Sequence, residues 1–392
     1  MTQTRGQSVI VVGAGIGGLA AAIALAQRGF AVRVLERAPA VTEVGAGLQI
    51  SPNGMAVLRA LGVADAVCKP APRAQAVELW DGLSGRKVLR LDLARHAPDL
   101  EYRLVHRADL IAALLEAALD LGVVVETGIA VETVRPGARP AALLVGGSEW
   151  DADLVIGADG VRSVVRGVVT QVAEPFFTRQ VAWRAVIPNA IGHPDAAWVH
   201  MGPGRHMVSY PLHNGAAINI VAVEERDGWA EEGWTHSDDP AAVRAAFSGF
   251  TGQAREMLQA IDTVGLWGLF RHPVADRWHA EGVALLGDAA HPTLPFLAQG
   301  ANMALEDAWV LAACLADGTA RDAALARYQA RRRDRVVRVI ATAQGNAWKY
   351  HLRNPILRRA AHLGLSTVGR VAPRAMLGGF DWLYRHDVTR QG

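Results

Sequence analysis

Glycines 13, 15 and 18 of GAGIGG, the acidic Glu36, and a second glycine-rich segment at residues 282–302, GVALLGDAAHPTLPFLAQGAN, are the residues best placed to do chemistry. Gly13 permits a tight turn, Gly15 lets the backbone approach a pyrophosphate, and Gly18 lets helix and strand pack closely. The helix that opens there presents its N-terminus to the phosphate charge. Glu36 ends the next apolar strand, where a carboxylate accepts hydrogen bonds from ribose hydroxyls and so favours an adenosine without a 2′-phosphate. Arg37 beside it is placed to lie against the adenine. The fingerprint does not separate NAD from FAD, since both carry adenosine diphosphate. The distant segment bears on that choice: an apolar strand ends in Gly287-Asp288, Pro292 and Pro295 shape a turn, and Gly300-Ala301-Asn302 opens a helix. A ligand held from both ends of the chain is long and flavin-sized. Asp288 would reach its ribityl-like chain, and the helix N-terminus at Gly300 would stabilise negative charge on a reduced ring.

His206 and Tyr210 form a second pair. Four residues apart on a strand, they share one face about 13 Å apart at about 3.3 Å per residue, a span that brackets one aromatic ring. Packing residues on a half-buried strand would look the same. Gln299, just before the helix start, is a candidate to hydrogen-bond substrate or flavin, and Arg184 in AWRAV is placed to bind a carboxylate.

These residues need elements to position them. Residues 9–12 read as a buried strand, 19–28 as a helix stopped by Gly29, and 31–35 as a second parallel strand, giving one βαβ unit. Asp109 is expected to cap a helix through Ala118, with Gly122 ending it before a strand at 123–125. Residues 154–157 form another strand, closing in Asp159-Gly160. From 177 to 278 the pattern alternates and predicts an antiparallel sheet, with a hairpin over 207–223 turning at Asn214-Gly215. Parallel character returns at 283–286, and 302–350 is largely helical. The fold class is therefore α/β: a Rossmann-like FAD-binding domain interleaved with an antiparallel β-sheet substrate domain and a helical C-terminus. The expected boundaries are 1–72, 100–176 and 280–320 for the first, 73–99 and 177–279 for the second, and 321–392 for the helical region.

With 392 residues, about two domains are expected. A charged fraction of 20% and net charge of +2, with dispersed basic residues, give no reason to propose nucleic acid. The run Arg331-Arg332-Arg333-Asp334-Arg335 reads as a solvated helix face. The apolar stretch 9–26 is broken by four glycines and lacks a basic leader, so no membrane segment is expected and the cytoplasm is the default. Cys68 and Cys314 read as small buried residues. No metal is expected, because no His/Cys/Asp cluster has ligand spacing; nor does a GxSxG occur.

Taken together, GAGIGG, GADG (157–160), GDAAHP (287–292), EVGAGLQISPNG (43–54), HRADL (106–110) and WLYRHD (382–387) make the whole chain resemble the single-component FAD-dependent aromatic hydroxylases. The resemblance implies that Arg107, Gln49 and Asp288 contact FAD, that Asp159-Gly160 lies near the pyrophosphate, and that Gly300, Ala301 and Asn302 hold the ring end. It implies NADH or NADPH as reductant without a second nucleotide domain, and O2 as co-substrate. Oxygen would reach the ring of a small aromatic acid, such as 3-hydroxybenzoate or salicylate, through a flavin C4a-hydroperoxide. For salicylate, attack at the carboxyl-bearing carbon would release CO2. Such a reagent is an electrophile, so a phenol must lose its proton, and histidine suits that task. HMVSY (206–210) resembles the His-x-x-x-Tyr pair that faces substrate in the branch with 3-hydroxybenzoate, salicylate and 6-hydroxynicotinate hydroxylases. Gln49 stands where the last group carries histidine, which favours a benzoate over a pyridine. An epoxidase or tailoring hydroxylase, a flavin reductase or dehydrogenase without oxygen insertion, and a homodimeric assembly all remain open.

Overall fold

The strand Ser8–Val12 is apolar on both faces and almost wholly buried, which suits only the middle of a sheet covered on both sides. In the computed structural model, which describes residues 6–41, 47–228 and 237–390, it pairs in parallel with Leu154–Gly157 on one side and Ala31–Glu36 on the other. Val124–Thr127 extends the sheet beyond Ala31–Glu36, and Val283–Leu285 extends it beyond Leu154–Gly157. The short His279–Ala280 closes that edge antiparallel. Residues 43–46 of the EVGAGLQISPNG motif lie outside the described residues.

The helix Ile16–Ala26 follows the first strand after three residues and is buried almost all round, because helices Gly300–Ala316 and Arg107–Asp120 pack against it. Its alanines allow close approach; a Cβ on Gly17 would stand 2.7 Å from Leu286 Cδ1 and 3.3 Å from Ala304 Cβ. Leu19, Ile23 and Leu25 are fully buried, each contributing about 2 kcal/mol of transfer free energy. The helix ends at Ala26, and the turn after it closes at Gly29, whose φ of +87° is easy for glycine. Thus the βαβ unit forms as expected, with the helix starting three residues earlier. The helix of Asp109 also starts earlier: it spans Arg107–Asp120, its N-cap is His106, and Asp109 sits in the first turn.

The second large sheet has eight strands in the order Ser237–Asp238, Val264–Arg271, Phe176–Pro188, Ala217–Glu225, Arg205–Leu212, Ala196–Gly202, Ala76–Asp81 and Arg86–Asp92. The hairpin at Asn214 is present, with Arg205–Leu212 pairing Ala217–Glu225 through a turn in which His213, Asn214 and Gly215 all have positive φ. One neighbour pair departs from the antiparallel expectation: Ala196–Gly202 runs parallel to Ala76–Asp81. Residues that visit the nucleotide sheet separate these two strands in sequence, so no tight turn constrains their direction. Trp183, Phe247 and Phe250 anchor the core of this sheet.

The C-terminal part is helical: Gly300–Ala316, Arg321–Tyr350, Pro355–Val371 and shorter turns. Here the arginine run is corrected. Arg331 and Asp334 are exposed, but Arg332 is 1% exposed and Arg335 is mostly buried, both turned onto carboxylates of the neighbouring helix. Cys314 is buried, whereas Cys68 is half-buried with Sγ 3.6 Å from Glu101 Oε1. No helix among the described residues is long and apolar enough to cross a membrane.

Candidate active site

One cavity runs between the two large sheets, and its wall takes residues from both ends of the chain. At one end the glycines divide their work. Gly13 has φ +104°, and a Cβ there would lie 2.6 Å from Ala158 O; a Cβ on Gly18 would lie 2.0 Å from Gly13 O. Both are needed for the turn. Gly15 differs: its Cβ position meets nothing within 4 Å, it lines the cavity, and as N-cap it leaves the first helical N–H groups without a side-chain partner. The Glu36 carboxylate accepts from Ala14 N at 2.8 Å and from Ala38 N at 2.9 Å, which fixes it beside this turn with lone pairs to spare. Glu36 and the exposed Arg37 are not on the cavity wall. Gly160 is on the wall, while Asp159 is turned aside, its Oδ2 accepting from Val164 N at 2.8 Å. Burial raises the Asp159 carboxyl above the usual range.

At the other end, the strand Val283–Leu285 delivers Gly287 at φ +58° and then Asp288. Atoms crowd Asp288, yet its side chain remains accessible because it faces the cavity. Burial raises its carboxyl, partly offset by His291, Arg107, Arg166 and His272. Arg107 lines the same cavity. After Pro295–Leu297, Ala298 adopts a left-handed conformation, and helix Gly300–Ala316 begins on the wall at Gly300 and Ala301 with no side-chain cap. Two uncapped helix starts therefore meet one cavity from opposite ends of the sequence.

Gln299 and Asn302 both bond within the protein. Gln299 touches the cavity; its Nε2 donates to Ser51 Oγ at 2.9 Å and its Oε1 accepts from Asn53 Nδ2 at 3.2 Å, which leaves the oxygen a further lone pair. Asn302 is not on the wall: its Nδ2 donates to Gln49 O and Ala298 O, and its Oδ1 accepts from Ser51 N. Both side chains fasten the loop that leads into helix Gly300–Ala316. Gln49 is on the wall, with Oε1 accepting from Tyr102 Oη at 2.8 Å.

Beneath this loop lies a charged network that sequence reasoning missed. Asp307 accepts from Gly287 N at 3.0 Å, His291 at 2.5 Å and Arg332 Nε at 2.7 Å. Glu306 takes Asn53 Nδ2 at 2.7 Å, an ion pair with Arg332 at 2.6 Å, and a bidentate pair with Arg335. Burial alone would raise both carboxyls; Arg332, with Arg335 on Glu306 and His291 on Asp307, holds them down at about 2. His291 is thus a brace for the loop. The signal was present in sequence: two acids in an otherwise apolar helix, and arginines at i and i+3 in the run.

His206 and Tyr210 share one face of the strand Arg205–Leu212. His206, Val208 and Tyr210 alternate onto the cavity wall, with His206 and Tyr210 buried. Burial pushes the Tyr210 hydroxyl up, against the pull of Arg184 and Asn219, so it stays a neutral phenol. Burial also holds His206 well below the usual imidazole range, as does nearby His351. His206 Nδ1 lies 2.7 Å from His351 Nε2, and His351 Nδ1 lies 2.8 Å from Glu225 Oε1. Arg184, from the strand Phe176–Pro188, also lines the wall, its guanidinium 4.7 Å from the centre of Trp267. Burial lowers it to about 10, so it remains a cation at neutral pH. Away from the cavity, folding brings His106, Asp109 and His213 within 4.8 Å, a set that sequence spacing does not reveal.

Residues 7–343 match the family of FAD-binding domains. The chain belongs to the FAD-dependent aromatic monooxygenases. This monooxygenase is 38% identical over 362 residues to 3-amino-4-hydroxybenzoate 2-monooxygenase of Streptomyces cremeus, covering 88% of each chain. It is 33% identical to 3-hydroxybenzoate 6-hydroxylase of Polaromonas naphthalenivorans, covering 97% of this chain and 96% of that one. Its fold is similar to that of Klebsiella pneumoniae HpxO complexed with FAD and uric acid, with a TM-score of 0.82, 28% identity and coverage of 93% and 94%. A salicylate hydroxylase substrate complex shares the fold at a TM-score of 0.81 and 22% identity, covering 98% and 97%. The cofactor of the monooxygenase is FAD. Its residues fit that group: the open face of Gly15 and the uncapped helix behind it suit a pyrophosphate, and Asp288 and the helix start at Gly300 lie along the same cavity.

Proposed function

We propose that the protein uses NADH or NADPH and O2 to hydroxylate a phenolic carboxylic acid of the hydroxybenzoate class. The observation that carries this reading is the shared wall: His206, Tyr210 and the cationic Arg184 face the cavity on which both uncapped helix starts open. Bound FAD would pass electrons from the nicotinamide to O2, one atom of which would enter the ring. Gly13, Gly15 and Gly18 shape the pyrophosphate site, Glu36 and Arg37 serve the adenosine, and Arg107, Gln49, Asp159 and Asp288 the remainder of the cofactor. Gly300 and Ala301 direct the helix N-terminus at the ring, supporting negative charge there. Gln299 and Asn302 position that loop. Arg184 pairs with the substrate carboxylate. His206, neutral because it is buried, takes the phenolic proton, and Tyr210 hydrogen-bonds the phenolic oxygen as a neutral donor. Oxygen attacks a phenolate far more readily than a phenol, so proton removal is the chain's own contribution to rate.

The relatives' substrates make 3-amino-4-hydroxybenzoate and 3-hydroxybenzoate the first compounds to try, with salicylate and 6-hydroxynicotinate beside them. Stimulated NAD(P)H oxidation with a hydroxylated product is expected for a benzoate; hydrogen peroxide as the sole product for every phenolic acid would overturn the reading. A cytoplasmic homodimer is the proposed setting. Ile356, Leu363 and Val371, exposed on the helix Pro355–Val371, supply an apolar face for a second copy, and light scattering would show a monomer if this is wrong.

A further inference from the structure

A base buried as deeply as His206 has a difficulty. Its ring is 2% exposed and packed among Phe296, Tyr350 and His351, with centroids 6.0, 5.4 and 4.9 Å away. Holding a transferred proton there would create a buried cation with no carboxylate in contact. The structure offers an exit on the side away from the cavity. His206 Nδ1 meets His351 Nε2 at 2.7 Å, His351 Nδ1 meets Glu225 Oε1 at 2.8 Å, and Glu225 Oε2 accepts from Arg353 Nη2 at 2.7 Å. Burial falls along the row: the His351 side chain is 2% exposed, Glu225 32% and Arg353 69%. Three separate pieces of chain supply it, the strands Arg205–Leu212 and Ala217–Glu225 and the residues after helix Arg321–Tyr350.

The bonds also fix which nitrogen carries each proton. Glu225, ionised beside Arg353, only accepts, so His351 Nδ1 must donate to it. A neutral His351 then has a bare Nε2, and His206 Nδ1 must be the donor in their contact. His206 Nε2 is left unprotonated, the form a general base requires. A carboxylate near the surface thereby sets the tautomer of an imidazole on the cavity wall.

We propose that His351 and Glu225 form a relay that carries the phenolic proton taken by His206 out of the cavity to solvent; this rests on the phenolic-acid reading above. The phenolic O–H breaks as His206 Nε2–H forms. His206 Nδ1–H breaks as His351 Nε2–H forms, and His351 Nδ1–H breaks as an O–H forms on Glu225, which gives the proton to water. No electrons move. Reprotonation of the product phenolate draws one proton back along the same row and resets both tautomers. His351 and Glu225 are positioning residues, since neither touches the substrate.

The test uses the FAD-loaded enzyme and the chromophoric phenol 4-hydroxy-3-nitrobenzoate, mixed at a pH below the probe's own pKa. Wild type is expected to ionise the bound probe quickly, seen as growth of its phenolate band. H351A is expected to slow that step roughly 10²-fold with unchanged probe affinity, and added imidazole to restore part of the rate. E225Q keeps an acceptor for His351 but not the proton-accepting carboxylate, and is expected to be slow without imidazole rescue. Equal rates in all three proteins would overturn the relay and leave the phenolic-acid reading standing. No ionisation in wild type would overturn that reading and the relay's cargo with it. Independently of any phenol, nitrogen-15 NMR of the substrate-free holoenzyme is expected to show Nδ1–H and bare Nε2 on both His206 and His351. The opposite tautomer on His351 would overturn the relay.

Discussion

His206 lies on the cavity wall and meets His351 through Nδ1, and the proposed mechanism gives this one ring both proton uptake and proton exit. Replacing it by alanine is expected to slow hydroxylation by roughly 10² to 10⁴-fold while leaving the rate of flavin reduction largely unchanged. Tyr210→Phe should act in the same direction with a smaller effect, because a neutral hydrogen-bond donor is lost rather than the base. Rapid-mixing absorbance of the flavin separates the two steps, and equal slowing of both would show that the pair only packs. Arg184→Met is expected to raise the KM for carboxylated phenols about tenfold or more, the scale of one lost charge-assisted hydrogen bond, with little change for a phenol lacking the carboxylate. At this scale the sequence was partly readable. The four-residue spacing of His206 and Tyr210 is local to one strand and survived intact, whereas the contact of His206 with His351 joins residues 145 apart, and spacing cannot show it. Gln299 lies on the cavity wall, but nothing local reveals its bonds to Ser51 and Asn53, 248 and 246 residues away in sequence.

Each helix that starts at the cavity depends on what lies behind it. The helix at Gly15 depends on glycines with opposite duties, and substitution separates them. Gly15→Ala should leave the fold stable and lower its FAD content, since the added carbon meets no protein atom within 4 Å. Gly18→Ala should lower the melting temperature of the apoprotein, because its Cβ would overlap the Gly13 carbonyl at 2.0 Å. Flavin content and thermal unfolding of both variants check this. The helix at Gly300 is held by Glu306 and Asp307 on Arg332 and Arg335. Arg332→Met leaves two buried carboxylates short of a partner and is expected to cost about 3–5 kcal/mol, read as a fall in melting temperature. The same carboxyls sit at about 2 in the fold against ordinary values of 4.5 and 3.8. Depressed acids add stability above their unfolded values, so this contribution is full above about pH 4.5 and is lost as pH falls towards 2. Acid unfolding of wild type should be steep in that window and shallower in Arg332→Met. Strand and helix periodicity made these elements legible, but the arginine run was misread because a helix face looks solvated until its partner acids on another helix are known.

At the scale of the whole molecule, the cavity exists because the chain leaves the nucleotide sheet, completes the eight-stranded sheet begun by Ala76–Asp81 and Arg86–Asp92, and returns with Val283–Leu285 to the edge it left at Leu154–Gly157. That return was readable from the two glycine-rich segments, since a ligand gripped at both sequence ends requires it. The parallel join of Ala196–Gly202 to Ala76–Asp81 was not, because strand direction across a long excursion is decided by packing between distant segments. The proposed reaction puts one atom of O2 onto a phenolic acid in the cavity. The direct measurement is turnover with NADH or NADPH and 3-amino-4-hydroxybenzoate or 3-hydroxybenzoate under ¹⁸O2, with mass spectrometry of the product. The expected product bears one added hydroxyl labelled with ¹⁸O and forms in step with NAD(P)H oxidised. Oxidation of the nicotinamide that leaves every phenolic acid unlabelled, with all oxygen recovered as hydrogen peroxide, would contradict it.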